Sequence, residues 1–549
     1  MEQEKTFKEK LTSFLVICAM IMASCILLFL FVASISHTAH FFGSNVNEYY
    51  ECLYYDRDNI LINTGLVILF MGIVYTITRL LSKVDKRILM VISLIVVLAL
   101  GIWWINFVKA PVKSDQGMVL KAAEDFSENK YDLVKGKGYF YMHPLQFGCV
   151  LGLEGIIRVI GSAEPIALQT VNVITLMLCT FVLYLITAKL YKDDAVTKIV
   201  SMLSACLILI PLYSVVVYGN IFGFLFSLLA VYFLLKYYDE YKIRYIVLIA
   251  LSLGLAIMFK SNYEIVMIGI LISLFLDLIQ NKEIKSLITM IIVVLCFSLV
   301  YPIVYAIVEK RSGEVVNEGI PMITYIAMSI QKPVSRNSGW YHDTNNVETI
   351  YPGCSFDEEK TIEKSMEIIK IRFGEFIAYP GSCVKFFQDK ICSTWIEPAF
   401  QTFWWSEPLE VFDSQPEEYK EYIMNNKLLI DILHGEKEKS VIKYLDVIEI
   451  TIFFASLISI TYMLKKKKLD YKNSVLLIIF MGGFLFHIIW ETKSIYVIPF
   501  YLMLLPSAAY GIYIMFNALE NLSGKLWLKY IIKKEQEEQK EEIEKKKSK

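Results

Sequence analysis

The chain has 549 residues, 56% of them hydrophobic, with 54 Lys and Arg set against 55 Asp and Glu for a formal net charge of -1. Its mean hydropathy is +0.50. A soluble multidomain protein is excluded, because apolar runs of about 20 residues, the length that crosses a bilayer core, recur along the chain. A β-barrel is excluded because it would show short alternating segments instead. No basic face for a nucleic acid stands out.

The expected fold is an all-α polytopic membrane protein of about twelve spans. The first, 11–35, follows the basic MEQEKTFKEK and is long for a signal peptide, so it reads as an uncleaved span. Further spans are expected at 60–81, 88–108, 165–188, 199–217, 220–237, 245–259, 263–280, 286–308, 445–464, 473–490 and 494–517. The segment 144–161, PLQFGCVLGLEGIIRVIG, is interrupted by Glu154 and Arg158. It could span, or lie along the interface as an amphipathic helix.

Charge asymmetry decides between the two. With 144–161 lying flat on the outer side, one set of short loops and flanks holds Arg79, Lys83, Lys86, Arg87, Lys189, Lys192, Lys198, Lys236, Lys242, Arg244, Lys282, Lys285, Lys465 to Lys468 and Lys472. The opposite short loops hold only Arg57, Lys260 and Lys493. That is the positive-inside pattern, with both termini cytoplasmic in a cell membrane. The organisation expected is an N-terminal membrane region 1–308 carrying a long outer loop 109–164, a large outer region 309–443, C-terminal spans 444–517, and a cytoplasmic charged tail 518–549.

The outer region has helical patterning at 358–376 and aromatic clusters at 339–342 (GWYH) and 394–405 (TWIEPAFQTFWW), which suggest an α-rich cap touching lipid or sugar. Of the ten cysteines, Cys354, Cys383 and Cys392 could pair there or stay as free thiols. His37 and His40 have no third ligand and read as interface residues rather than a metal site. There is no P-loop, Rossmann glycine fingerprint, HExxH or serine elbow. The lysine- and isoleucine-rich composition points to an AT-rich bacterium.

The candidate chemistry gathers in the long loop, KAPVKSDQGMVLKAAEDFSENKYDLVKGKGYFYMHPLQFG. Asp115 could simply cap a helix over 116–127. Alternatively, a carboxylate screened from water at the membrane surface can take a proton from a hydroxyl. Lys260 ends the run SLGLAIMFK on the side the inside rule disfavours, where a cation could hold a lipid phosphate; its plain reading is snorkelling. Tyr218, Gly219 and Asn220 form an outer turn, and Arg336, His342, Glu491 and Lys493 complete the outer polar inventory. Charges collect at the boundary and leave mid-span nearly bare, which favours an interfacial enzyme over a transporter or lipid-linked sugar flippase. A non-catalytic scaffold using 309–443 as an interaction module is the third class.

The order of these features resembles the GT-C membrane glycosyltransferases, the superfamily of protein O-mannosyltransferases and aminoarabinose transferases, most closely their bacterial family-39-like members. The resemblance rests on SDQG after a span, YFYMHPLQFG entering an outer helix, LSLGLAIMFK, and ETKSIYVIPFYLMLLPSAAYG, similar to an E-x-x-x-R-Y-x-x-P pattern. It implies transfer of a sugar from a polyprenyl-phosphate carrier on the outer face to a cell-wall glycopolymer, glycolipid or protein. It further implies inversion, with Asp115 as general base and Lys260 on the carrier phosphate. Lys493 and Arg336 are further phosphate candidates. Tyr139, Tyr141, His143, Asn220, Trp340, His342, Glu491 and Tyr496 are candidate acceptor or sugar contacts. The chain departs from the pattern at Gln116, where many relatives carry a second acid, at Asn220 for an acid, and at Ile495 for the arginine. Both lost acids lower the charge offered to a divalent ion, so no cofactor is expected. The oligomeric state is open.

Overall fold

The computed structural model describes residues 7–42, 50–333, 336–342, 346–407, 415–467 and 470–524. It is a helical membrane bundle with one elaborated end. The spans are α1 (Phe7–Ser36), α2 (Ile60–Leu80), α3 (Lys86–Val108), α7 (Pro165–Tyr191), α10 (Asn220–Glu240), α11 (Ile243–Phe259), α12 (Glu264–Asn281), α13 (Ile284–Ser312), α21 (Glu436–Lys465) and α22 (Tyr471–Ile489), with two bent pairs. Nine described helices are long and apolar enough to cross a membrane, or eleven if each bent pair is one span. The expected twelve is reached only by adding α11, at 17 residues the shortest.

The two bends have a common cause. In the pair α8 (Asp194–Cys206) and α9 (Leu209–Leu212), the chain turns by 49° at Leu207, four residues before Pro211. In the pair α23 (Ser494–Leu502) and α24 (Leu505–Gly524), it turns by 54° just before Pro506. Proline lacks the N–H of the helical ladder and clashes with the carbonyl four residues back, so the expected straight spans 199–217 and 494–517 each break there.

The bundle closes on itself: α1 packs on α21 and α22, α10 on α7 and α11, α3 on α7 and α8, and α12 on α22. At the plain end, Asp277 is enclosed and accepts from Tyr241 Oη (2.9 Å), Asn281 Nδ2 (2.8 Å), Ser286 Oγ and Tyr471 Oη. Four donors from four helices or their ends make that buried carboxylate tolerable in the bundle. Lys86–Asp194 (2.6 Å), Arg79–Glu520 (3.2 Å) and Lys198 on the carbonyls of Leu81 and Ser82 lie at the same end. The residues predicted to share one side therefore do so in space.

The other end carries the cap, where the helical fold includes one small sheet. A two-stranded antiparallel hairpin, β1 (His37–Phe42) and β2 (Tyr50–Arg57), connects α1 to α2. It is tied into the cap through Leu53 N–H to Asn337 Oδ1 (2.8 Å). The loop 109–164 folds as α4 (Asp115–Ser127), α5 (Tyr139–Met142) and α6 (Phe147–Ile160). At 14 residues, about 21 Å, α6 is too short to span. Its Glu154 is gripped by Arg311 (2.6 and 2.7 Å) and Arg158 (2.8 Å), and both arginines also donate to the Phe126 carbonyl, which locks α6 to α4 and α13.

The outer region comprises α14 (Met322–Ser329), α15 (Val347–Gly353), α16 (Glu358–Ala378), α17 (Pro380–Trp395), α18 (Thr402–Ser406), α19 (Glu417–Asn425) and α20 (Lys427–His434). The patterning at 358–376 is therefore a helix, but α21 starts nine residues earlier than its expected span at 445. Cys354, Cys383 and Cys392 are free thiols, as are the other seven. His40 faces Asp56 across the hairpin at 3.7 Å, and His37 meets Ser36 Oγ at 3.0 Å. Lys468 of the basic run and residues 525–549 of the tail lie outside the described residues.

Candidate active site

Asp115 is not a cap. Helix α4 begins on it, and its N-cap Ser114 makes no side-chain cap bond. Ser114 sits at φ 54°, ψ -144°, a region glycine favours, so the backbone entering Asp115 is strained. The neighbours on either side are pinned. Lys113 donates to the carbonyls of Trp404 (2.7 Å) and Glu407 (3.0 Å), with its ammonium 3.8 Å from the Trp404 ring. Gln116 Oε1 accepts from Val217 N–H at 2.8 Å. Gln116 thus anchors the turn before Tyr218. Asp115 itself is exposed and makes no hydrogen bond or ion pair among the described residues.

Lys260 faces it from the end of α11. Its ammonium lies 3.8 Å from the Tyr218 ring and 5.9 Å from the Tyr496 ring, with no ion pair among the described residues. Two glycines let the backbone close around it. A Cβ at Gly148 would stand 2.1 Å from the Met258 carbonyl oxygen, and one at Gly219 would stand 1.9 Å from that of Phe259. Burial pushes the Lys260 ammonium down from its ordinary value, opposed by the charge of Asp115.

Glu491, in the turn between α22 and α23, is the third ionisable group without a hydrogen-bond partner for its side chain among the described residues. Burial pushes its carboxyl up to about 7, with Lys493 pulling it down and Asp115 pushing it up. His143 is held on both ring nitrogens, by Glu348 Oε1 (2.8 Å) and Tyr325 Oη (3.1 Å). Tyr341 Oη donates to the other oxygen of Glu348 at 3.1 Å. Tyr139 packs 4.8 Å from the His143 ring, and burial drives its phenol and that of Tyr218 well up.

The structure therefore brings Asp115, Tyr139, His143, Lys260, Glu491 and Tyr496 into one polar cluster. Lys493 and Arg336 gather beside it on a shared partner, Glu51 of β2, at 2.6 and 3.5 Å. Four candidates fall away as direct contacts. Trp340 is fully enclosed, its indole donating to Ser393 Oγ (3.2 Å). Tyr141 packs between Tyr351 and Phe356, and His342 is buried. Asn220 is enclosed at the start of α10, its carbonyl bonded by Tyr263 Oη.

Sequence reasoning missed Glu51, Tyr218 as a platform, Tyr325, Tyr341 and Glu348. None has a local signal: Glu51 lies 442 positions from the lysine it pairs with. An open cavity of about 700 Å³ at this end, lined by Lys109, Tyr419 and Tyr422, includes none of the cluster. Among the described residues no group of three or more His, Cys, Asp or Glu is placed to hold a metal ion.

The fold is that of a polytopic helical membrane protein with one capped end and a cluster of charged and aromatic side chains beneath the cap. Residues 150–305, from α6 into α13, match the family described as dolichyl-phosphate-mannose-protein mannosyltransferase. Lys260, Tyr218 and Asn220 fall inside the match, and Asp115, His143 and Glu491 outside it. No curated protein matches the chain. Among solved structures, the chain is similar to the archaeal oligosaccharyltransferase AglB from Archaeoglobus fulgidus, in complex with an inhibitory peptide and a dolichol-phosphate, at 12% identity and a TM-score of 0.41. That likeness covers 80% of this chain and 52% of the other, so the chain spans about half of AglB. It is also similar to ArnT from Cupriavidus metallidurans bound to undecaprenyl phosphate, at 11% identity and a TM-score of 0.28, covering 77% of each chain.

Proposed function

We propose that the protein is a membrane glycosyltransferase that moves a sugar from a polyprenyl-phosphate carrier to an acceptor hydroxyl. The observation that carries the reading is Asp115: a carboxylate without a hydrogen-bond or ion-pair partner among the described residues, held by pinned neighbours on a strained backbone, facing the cation Lys260, which likewise has no ion pair among them. The family match over 150–305 supports it. In this reading Asp115 takes the acceptor proton as the oxygen attacks the anomeric carbon from the face opposite the leaving group. The bond from that carbon to the phosphate oxygen breaks, and the carrier phosphate leaves with the electron pair beside Lys260, with inversion. A phosphate is already a good leaving group, so one base and cationic stabilisation suffice. Lys493 and Arg336 would reach the phosphate only by sharing it with Glu51.

The capped end is assigned to the extracytoplasmic face because the plain end carries the lysine- and arginine-rich loops. Both termini are then cytoplasmic. The test is Asp115→Asn. The variant should insert and fold as the wild type does while transfer falls by roughly 100-fold or more. Mass spectrometry of envelope glycans from cells carrying either form reports sugar and acceptor together; unchanged glycans in the variant would remove Asp115 as the base.

A further inference from the structure

The hairpin β1–β2 is not accounted for by the proposed chemistry, yet it delivers a charge beside the site. Glu51 is 5% exposed and is the hub of a buried cluster. Its Oε1 accepts from Lys493 Nζ at 2.6 Å and from Gln401 Nε2 at 3.0 Å, and Arg336 Nη1 approaches Oε2 at 3.5 Å. Gln401 is itself fixed, its Oε1 accepting from Ile495 N–H at 3.3 Å, so the hairpin, α18 and α23 meet at one carboxylate. The consequence falls on Glu491. Lys493 stands two residues from it and is the charge that acts on it most strongly, yet the Lys493 ammonium is bound to Glu51 and makes no ion pair with Glu491. Glu491 is left with no partner, close to Asp115, the one neighbour that opposes its ionisation most.

We propose that Glu51 is a positioning residue for the reaction: by holding Lys493 it keeps that cation off Glu491, whose carboxyl is left beside Asp115 to hydrogen-bond a substrate oxygen. This rests on the glycosyltransferase reading for the substrate, but the coupling of Glu51 to Glu491 does not. The remaining groups that face Glu491 are Lys260 of α11, His143 after α5, Tyr325 of α14, Tyr341, Lys390 of α17, Tyr496 of α23 and His487 of α22. Among these, Lys260, His143 and Lys390 favour ionisation of Glu491, as Lys493 does. Moving Lys493 is therefore the change that alters the balance. The chemistry assigned is plain: a neutral carboxyl hydrogen-bonds a sugar hydroxyl or phosphoryl oxygen, where a carboxylate would repel the phosphate.

The test uses the full-length protein in lipid nanodiscs and an infrared pH titration of protonated carboxyl groups. The band lost in Glu491→Gln belongs to Glu491. In Glu51→Gln, Lys493 is released to pair with Glu491, and that band should titrate about one pH unit lower. In Lys493→Gln the cation is gone, and it should titrate higher. A shared structural disturbance cannot produce opposite signs. No movement in Glu51→Gln, or movement of both variants in one direction, overturns the proposal. The transfer assay is a separate arm. The alkaline limb of its pH profile should fall with Glu51→Gln and be restored by Glu51→Asp. If the wild type transfers no sugar, the glycosyltransferase reading fails while the infrared arm still reports on Glu51.

Discussion

Gly219→Ala tests whether backbone packing sets the position of Lys260. Gly219 has right-handed torsions, φ -62° and ψ -10°, so alanine meets no backbone objection and its effect is purely steric. The new Cβ would stand 1.9 Å from the Phe259 carbonyl oxygen and 3.3 Å from Cys149 Sγ. To restore even 3.0 Å, the last turn of α11 must withdraw by more than 1 Å, and Phe259 is the residue before Lys260. Overpacking of this kind costs about 1–3 kcal/mol. A 1 Å misplacement at a reacting centre costs roughly 100-fold in rate. The expected outcome is a folded variant with a lower thermal midpoint and a transfer rate per folded molecule reduced by roughly that factor. Size-exclusion profiles after heating give the first quantity, and transfer from a polyprenyl-phosphate sugar gives the second. Gly155→Ala, on the exposed face of α6 with nothing within 4 Å, is the control. A Gly219→Ala protein with wild-type rate and midpoint would refute the argument that this contact places the cation.

Burial holds the Glu397 carboxyl protonated up to about 7, against an ordinary 4.5, despite bonds from Ala399 N–H, Gln401 N–H and Ser494 Oγ. Between those values the folded state keeps a proton the unfolded chain has lost, so its contribution is fully present below pH 4.5 and falls as pH rises to 7, by about 3 kcal/mol in all. Glu397→Gln should reduce the decline in thermal midpoint between pH 5 and pH 8; a decline as steep as the wild type's would contradict the cause given. Ser114→Gly should relieve the positive-φ strain and raise unfolding stability by about 1 kcal/mol. It should also lower the transfer rate, because Asp115 loses a fixed entry. Denaturation and rate measurements on the same preparation decide, and an unchanged stability would mean the strain is not stored there.

Much of the membrane layout was legible in the sequence because bilayer physics writes it there. Span length and loop charge are local properties, and they predicted that Lys86 and Lys198 share one end of the bundle and that Lys260 and Lys493 share the other. The bends at Leu207 and Met503 were also written, in Pro211 and Pro506, but an apolar run that includes a proline still has the length of a straight span. The hairpin after α1 was hidden because its strands carry no apolar alternation against a core of their own; they are held by the cap, through contacts such as Leu53 to Asn337. In the candidate site, the proximity of Asp115 and Lys260 was legible because each sits at the outer end of a span. The burial of Trp340 and His342 was not legible, for a related reason. Aromatic and polar residues outside the spans suggest a sugar-facing surface, whereas here the cap has an interior of its own that encloses both. Glu348 and Glu51 were beyond reach, since their roles exist only through partners hundreds of residues away.

The packing of α1 against α21 bears on how the protein is made. From residue 11 to its end α1 has no charged side chain, so it can wait in lipid, alone, while the rest of the chain is synthesised. Helix α21 cannot do the same. Its Asp446 and Glu449 are enclosed four turns or fewer from its start, and placing such a carboxyl in bare lipid costs about 2.5–3.5 kcal/mol or more. The early helix is therefore part of the solvent into which the late one inserts, and deleting α1 should strand α21 at the translocon while the spans between them still enter the membrane.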